Sequence, residues 1–190
     1  MNLLYPEIPR RRLAAMARVA AFGAVVAAIY GALHDQLSYT ISTEYFTQLK
    51  FAQFSYADFG WPRRAFVAEV GVLATWWVGM IAGWVLCRIG FADPTADSTR
   101  RDAVRAFAIV LGTAVASGGV GLVLGYAASR GDVGGWNAWR DALELHDVPA
   151  FVVVAYLHWA SYLGALLGLT IAVVDARRRT RSASTSRRAA

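Results

Sequence analysis

The sequence predicts an all-α membrane protein: a four-transmembrane-helix bundle with a small ordered cap on its extracytoplasmic side. Three observations carry that expectation. The 190 residues are 57% hydrophobic and only 17% charged, against about 45–50% and 25% in ordinary soluble domains. Four stretches each hold the roughly 20 mostly apolar residues that a helix needs to cross a bilayer. The basic residues fall unevenly on the segments between those stretches. The same composition excludes a disordered chain. Cys87 is the only cysteine, which leaves no disulfide framework and no cysteine-rich metal site.

The elements follow in order. A cytoplasmic segment, 1–12, leads into a first span, 13–33, whose one charge is Arg18. An outer loop, 34–64, precedes the second span, 65–89, which carries Glu69 near its start. A cytoplasmic loop, 90–105, joins it to an uncharged third span, 106–128. A second outer loop, 129–149, precedes the fourth span, 150–174, whose one ionisable group is His158. The tail, 175–190, reads as a solvated, disordered basic flank. Backbone groups in lipid must be paired within the segment, so each span is a helix; the alternation of a membrane barrel strand is absent. The basic start and apolar run also have the outline of a signal peptide. Tyr30 and His34 stand where small residues belong, so an uncleaved span is the expectation and cleavage, leaving three spans, the alternative.

Fourteen lysines and arginines lie on the first segment, the 90–105 side and the tail, against five on the two other loops. That asymmetry puts both termini in the cytoplasm. It also accounts for the net charge of +6 as a topology signal, and no nucleic-acid partner is expected.

Inside lipid, close backbone packing must hold helices together. Small residues four apart occur on every span: Gly23, Ala27 and Gly31; Gly79 and Gly83; Ser117, Gly121 and Gly125; Ala160, Gly164 and Gly168. Intrachain packing is the simpler use of these grooves, homodimerisation the other. Trp61, Trp136, Trp139 and Trp159 read as interfacial anchors, and Trp76, Trp77 and Trp84 as packing against helices or lipid.

The outer side holds the unusual content. In the long first loop, Leu37, Tyr39 and Ile41 alternate with polar residues in a short strand-like pattern. Beyond it, Tyr45, Phe46, Leu49 and Phe54 suit one face of a short helix lying on the bilayer, with Thr43 as cap and Glu44 in its first turn. In the second loop, Trp136, Trp139 and Leu143 share a face of another short helix, and Pro149 opens the fourth span. The two loops are expected to pack as a cap. His34, His146 and His158 all lie toward this side. His158 sits about 12 Å into its span at 1.5 Å per residue and shares a face with Ser161 and Tyr162.

Ionisable groups in lipid are costly and face the bundle interior. Two readings follow. In the simpler one, Glu69 and His158 bond across helices, or Glu69 pairs with Arg63 or Arg64, while His34 and Asp35 tether the loop. In the sharper one, these groups line an outward-facing cavity that binds a metal or relays protons. The spacing favours the simpler reading: HExxH, CxxC and paired ExxH motifs are all missing. Walker loops and nucleophile elbows are missing too. The cluster Gly131, Gly134 and Gly135 follows no strand, and no serine shows a His and acid partner from sequence alone.

The motifs HDQ at 34–36 with ISTEYFT at 41–47, ATWWVG at 74–79 and LHWASYLG at 157–164 carry one further signal. In them the chain resembles an uncharacterised family of small bacterial four-span integral membrane proteins. In that family proline often takes the position of Thr43. The resemblance implies a four-span inner-membrane protein and groups His34, Asp35, Gln36, Glu44, Tyr45, His158, Ser161 and Tyr162 in one signature. The expected function is a non-enzymatic structural or accessory subunit in the bilayer, with a membrane-protein partner or a second copy. The alternative is a metal-dependent enzyme or proton-coupled carrier built on the outer His/carboxylate site. Transport is disfavoured by size and by spans without a mid-helix break.

Overall fold

A computed structural model describes residues 10–91 and 96–189. The described residues form an all-α bundle. Its long helices are α1 (Arg10–Ile41), α3 (Arg63–Val85, prolonged by a π-helical turn Leu86–Gly90), α4 (Ala96–Ser129) and α6 (Val148–Ala189). Short pieces lie between them: a π-helical turn Tyr45–Lys50 running into α2 (Phe51–Gln53), and α5 (Asn137–Leu143). All four long helices are long and apolar enough to cross a membrane.

The expected spans sit inside these helices, but the helices run further. The strand-like pattern at Leu37, Tyr39 and Ile41 is overturned, because α1 continues through Ile41. Three alternating residues are too short a run to outweigh the helical spacing beside them. Asp35, Ser38, Tyr39 and Ser42 are all buried, the i, i+3, i+4, i+7 spacing of one helix face, while Leu37 is 53% exposed. The expected cap also moves by one residue: Ser42, not Thr43, accepts the Tyr45 N–H at 3.3 Å.

The segment 90–105 is not all loop, since α4 starts at Ala96. The tail is not a disordered flank, since α6 continues as helix through Ala189. Ion pairs on these extensions join the two helices. Arg105 grips Asp175 with two bonds of 2.9 and 3.0 Å, and Arg179 reaches Asp102 at 2.8 Å.

Two antiparallel pairs make up the bundle, α1 with α3 and α4 with α6, and glycines sew each pair. Gly23 and Gly79 face each other's carbonyl, as do Gly31 and Gly71. Gly83 lies against Val19, and Ala27 against Gly79. The Thr75 hydroxyl adds a 2.7 Å bond to the Ala27 carbonyl. In the second pair Gly121 and Gly125 approach Tyr156 and Val153, while Gly164 and Gly168 approach Ser117 and Thr113. The small-residue grooves thus serve packing within the chain.

The two pairs meet at both ends. At the arginine-rich end a core of Met16, Val19, Leu86, Cys87, Phe107 and Ala172 draws on all four long helices. There Arg12 and Arg177 donate to the carbonyls of Arg88 and Ile89, covering the exposed carbonyl end of the π turn. At the opposite, histidine-bearing end a second core of Tyr39, Tyr45, Phe46, Val67, Phe151 and Val152 closes the bundle.

Candidate functional site

The first loop does not lie flat on the surface of the histidine end. Tyr45, Phe46 and Lys50 are buried, so the segment dips into the bundle. The wide π turn makes this register work. With about 4.4 residues per turn, positions five apart share a face, and Tyr45 and Lys50 point inward together.

The second loop closes over it. Trp136 and Trp139 of the α5 region lie 6.3 and 6.5 Å from the Phe151 ring. The Glu44 carboxylate accepts the backbone N–H groups of His146 and Asp147 at 3.0 and 2.9 Å. Asp147 in turn accepts the Ala150 N–H at 3.0 Å. Two carboxylates therefore cap the N-terminus of α6, where unpaired N–H groups and the helix dipole favour negative charge. The cap expected from the two outer loops exists, and Glu44 is its clasp.

Beneath the cap, α1 and α6 bring two imidazoles together. The His34 and His158 rings stand 4.6 Å apart, edge to face. His158 is completely buried, and Asp35, Ser38 and Ser161 are buried with it. Ser38 donates to the His34 carbonyl at 2.9 Å. Its oxygen is then the acceptor for the His158 Nε2–H at 3.0 Å. That leaves His158 Nδ1 to accept the Tyr162 hydroxyl at 3.1 Å, which assigns a neutral His158 with its proton on Nε2. His34 Nδ1 lies 3.4 Å from Asp35 Oδ1 and its Nε2 lies 3.2 Å from Ser161 Oγ.

Asp35 is the centre of the cluster. Its Oδ1 also lies 3.8 Å from His158 Nε2, while Oδ2 is buried and has no hydrogen-bond partner. One ligand atom from each of His34, Asp35 and His158 lies within 4.8 Å of the others. Two residues at the rim feel this pocket. Burial pushes the Lys50 ammonium below its ordinary range, against the pull of Asp35. Burial, with Tyr162 and Asp35 adding to it, pushes the Tyr45 phenol up. The Tyr45 ring lies 4.8 Å from that of His158.

Six of the residues expected at the site converge: His34, Asp35, Tyr45, His158, Ser161 and Tyr162. Three do not. Gln36 turns to α3, where its amide donates to the Arg64 carbonyl at 2.7 Å and its side-chain oxygen accepts from Arg64 at 3.2 Å. Glu44 serves as the clasp. Glu69 forms neither a hydrogen bond nor an ion pair with a described residue, and its Oε2 is buried without a partner. The expected pairing of Glu69 with Arg63 or Arg64 is absent among the described residues. Ser38 and Lys50 join the cluster unforeseen. Ser38 stands four residues after His34, a signal that becomes legible once 34–41 is read as helix.

Asp35, His34 and Ser161 repeat the carboxylate–imidazole–hydroxyl order of a hydrolase triad. Ser161, however, is 2% exposed, and its hydroxyl occupies the space a side chain on Gly118 would need. A substrate carbonyl does not reach it in this conformation. The hydrogen bonds fix the orientation of both imidazole rings. Set beside known proteins, the chain matches no family model, no curated protein and no solved structure.

Proposed function

We propose that the chain is an integral membrane protein of the bacterial inner membrane, with both termini cytoplasmic, that holds a divalent first-row metal ion on His34, Asp35 and His158. The observation that carries this reading is Asp35. A carboxylate buried beside two imidazoles, with one oxygen unpartnered, is costly unless something positive meets it. A bound ion supplies that charge.

The rest of the geometry agrees. Tetrahedral ligation by nitrogen and oxygen at 2.0–2.2 Å separates ligand atoms by about 3.4 Å. The contacts of Asp35 to the two imidazoles, 3.4 and 3.8 Å, are near that spacing. Each ring keeps a hydroxyl for its other nitrogen, Ser161 for His34 and Tyr162 for His158. Ligation through His158 Nε2 would move that ring's proton to Nδ1, which would then donate to Tyr162 as ligating histidines do to their partners. Two imidazoles and a carboxylate suit Zn2+ or Fe2+. The orientation rests on the fourteen basic residues grouped toward one face.

Element analysis of detergent-purified protein tests the proposal. Wild type should carry one ion per chain, and Asp35→Asn and His158→Ala should lose it. Wild type that takes up neither Zn2+ nor Fe2+ on equilibrium dialysis would overturn it.

One observation favours a second reading, a structural clamp in an accessory subunit: both nitrogens of His158 already have hydroxyl partners. That reading predicts no metal-dependent melting shift, and an Asp35→Asn variant as stable as wild type.

A further inference from the structure

A different site lies at the arginine-rich end, on the flank where α1 and α4 meet. Two hollows of about 530 and 390 Å³ adjoin there, sharing Arg100 and Val104. Their walls divide by chemistry. Arg18, Arg100, Arg101 and Arg105 supply the rim, while Val19, Phe22, Ala103 and Val104 supply an apolar floor.

Among the described residues, three of these four guanidinium groups have no carboxylate partner. Arg105 is held by Asp175, and Asp102 is taken by Arg179. Arg18, Arg100 and Arg101 form no ion pair with a described side chain, and all three are exposed. The floor continues outward in the same sense: Phe22 is 39% exposed and Val104 52%. The depth fits as well. Arg18 and Arg105 are the last arginines before the uncharged runs that begin at Val19 and Ala106. That level is where headgroups meet acyl chains.

We infer that this groove binds a phospholipid with an anionic phosphodiester headgroup, its phosphate on Arg18 and Arg100 and one acyl chain along Phe22 and Val104. Guanidinium forks match phosphate oxygens in pairs. Basic pockets between spanning helices on the cytoplasmic side are where such headgroups bind. A free phosphate uses the rim and leaves the apolar floor bare, so the floor is what argues for a lipid.

The test uses full-length protein, delipidated in detergent and titrated with phosphatidylglycerol, with phosphatidylcholine or with inorganic phosphate. Binding is followed by native mass spectrometry and by melting. Phosphatidylglycerol should bind and raise the melting temperature, and the other two should not. The double variant Arg18→Gln/Arg100→Gln should lose about thirtyfold in affinity, the effect of two arginines at an anionic surface. Arg18→Lys/Arg100→Lys should recover part of that loss. Arg130→Gln, at the far end of the bundle, should bind as wild type does. Equal binding of the zwitterionic lipid, undiminished binding by the double glutamine variant, or full stabilisation by inorganic phosphate would each overturn the inference. The lipid preference of wild type decides the matter even if a variant fails to fold.

Discussion

Replacing Gly79 by alanine places one methyl group between α1 and α3. A Cβ there meets the Gly23 carbonyl and the Ala27 side chain. Backbone cannot rotate aside, so the helices must part. Overpacking a filled contact costs about 1–3 kcal/mol, and a collision with backbone belongs at the upper end. Alanine returns about 1 kcal/mol through helix propensity, which leaves a net loss of about 2 kcal/mol. Gly119 supplies the control. A Cβ there meets nothing within 4 Å, so Gly119→Ala should gain about 1 kcal/mol. Unfolding in mixed micelles with rising detergent fraction, followed by the fluorescence of the seven tryptophans, measures both. Gly79→Ala should unfold earlier than wild type and Gly119→Ala later. The midpoints should not depend on protein concentration, since the contact is within one chain. Equal shifts for the two variants, or a concentration-dependent midpoint, would refute the packing argument.

Three further outcomes are expected. Glu44→Ala removes the acceptor for two N–H groups at the start of α6 and should cost about 1–2 kcal/mol in the same unfolding assay, with Glu44→Gln between it and wild type. Burial lowers Lys50 in the folded protein, so the unfolded chain binds the extra proton. Wild-type stability should therefore rise as pH climbs toward the ordinary lysine value near 10.4, and Lys50→Met should flatten that slope in melts from neutral to alkaline pH. In intact cells, a membrane-impermeant maleimide should label Asp132→Cys but not Ser182→Cys; the buried Cys87 adds no background, and the reverse labelling would invert the proposed orientation.

The spans were legible because a bilayer imposes one period and one length on every segment that crosses it. The glycine spacing was legible for a related reason, since only small residues let two backbones touch in lipid. Gly71 lies on the same four-residue stripe as Gly79 and Gly83, and escaped because Thr75, which completes that stripe, is a hydroxyl residue rather than a glycine or alanine. The helical extension of α1 was hidden by polar residues that face the bundle interior, where Asp35 and Ser38 look like loop residues to any reading of hydropathy. Within the candidate site, ring neighbours on one helix, His158, Ser161 and Tyr162, were foreseeable from the helical repeat. The partition of Gln36 and Glu44 away from it was not. Both are polar residues close in sequence to His34, and only the three-dimensional positions of Arg64 and of the α6 N-terminus decide where their side chains go. Lys50 was hidden by the π turn, which rotates it onto the same side as Tyr45.

The His–Asp cluster straddles the seam between the two glycine-sewn pairs, α1 supplying His34 and Asp35 and α6 supplying His158 and Ser161. A first hairpin inserted alone would leave His34 and Asp35 without the imidazole of His158 opposite them, a costly arrangement for ionisable groups in hydrocarbon. The second hairpin supplies His158 and Ser161 opposite them and the α6 N-terminus that the Glu44 clasp holds, while Asp35 Oδ2 still has no protein partner. The cluster therefore exists only when both hairpins are packed together.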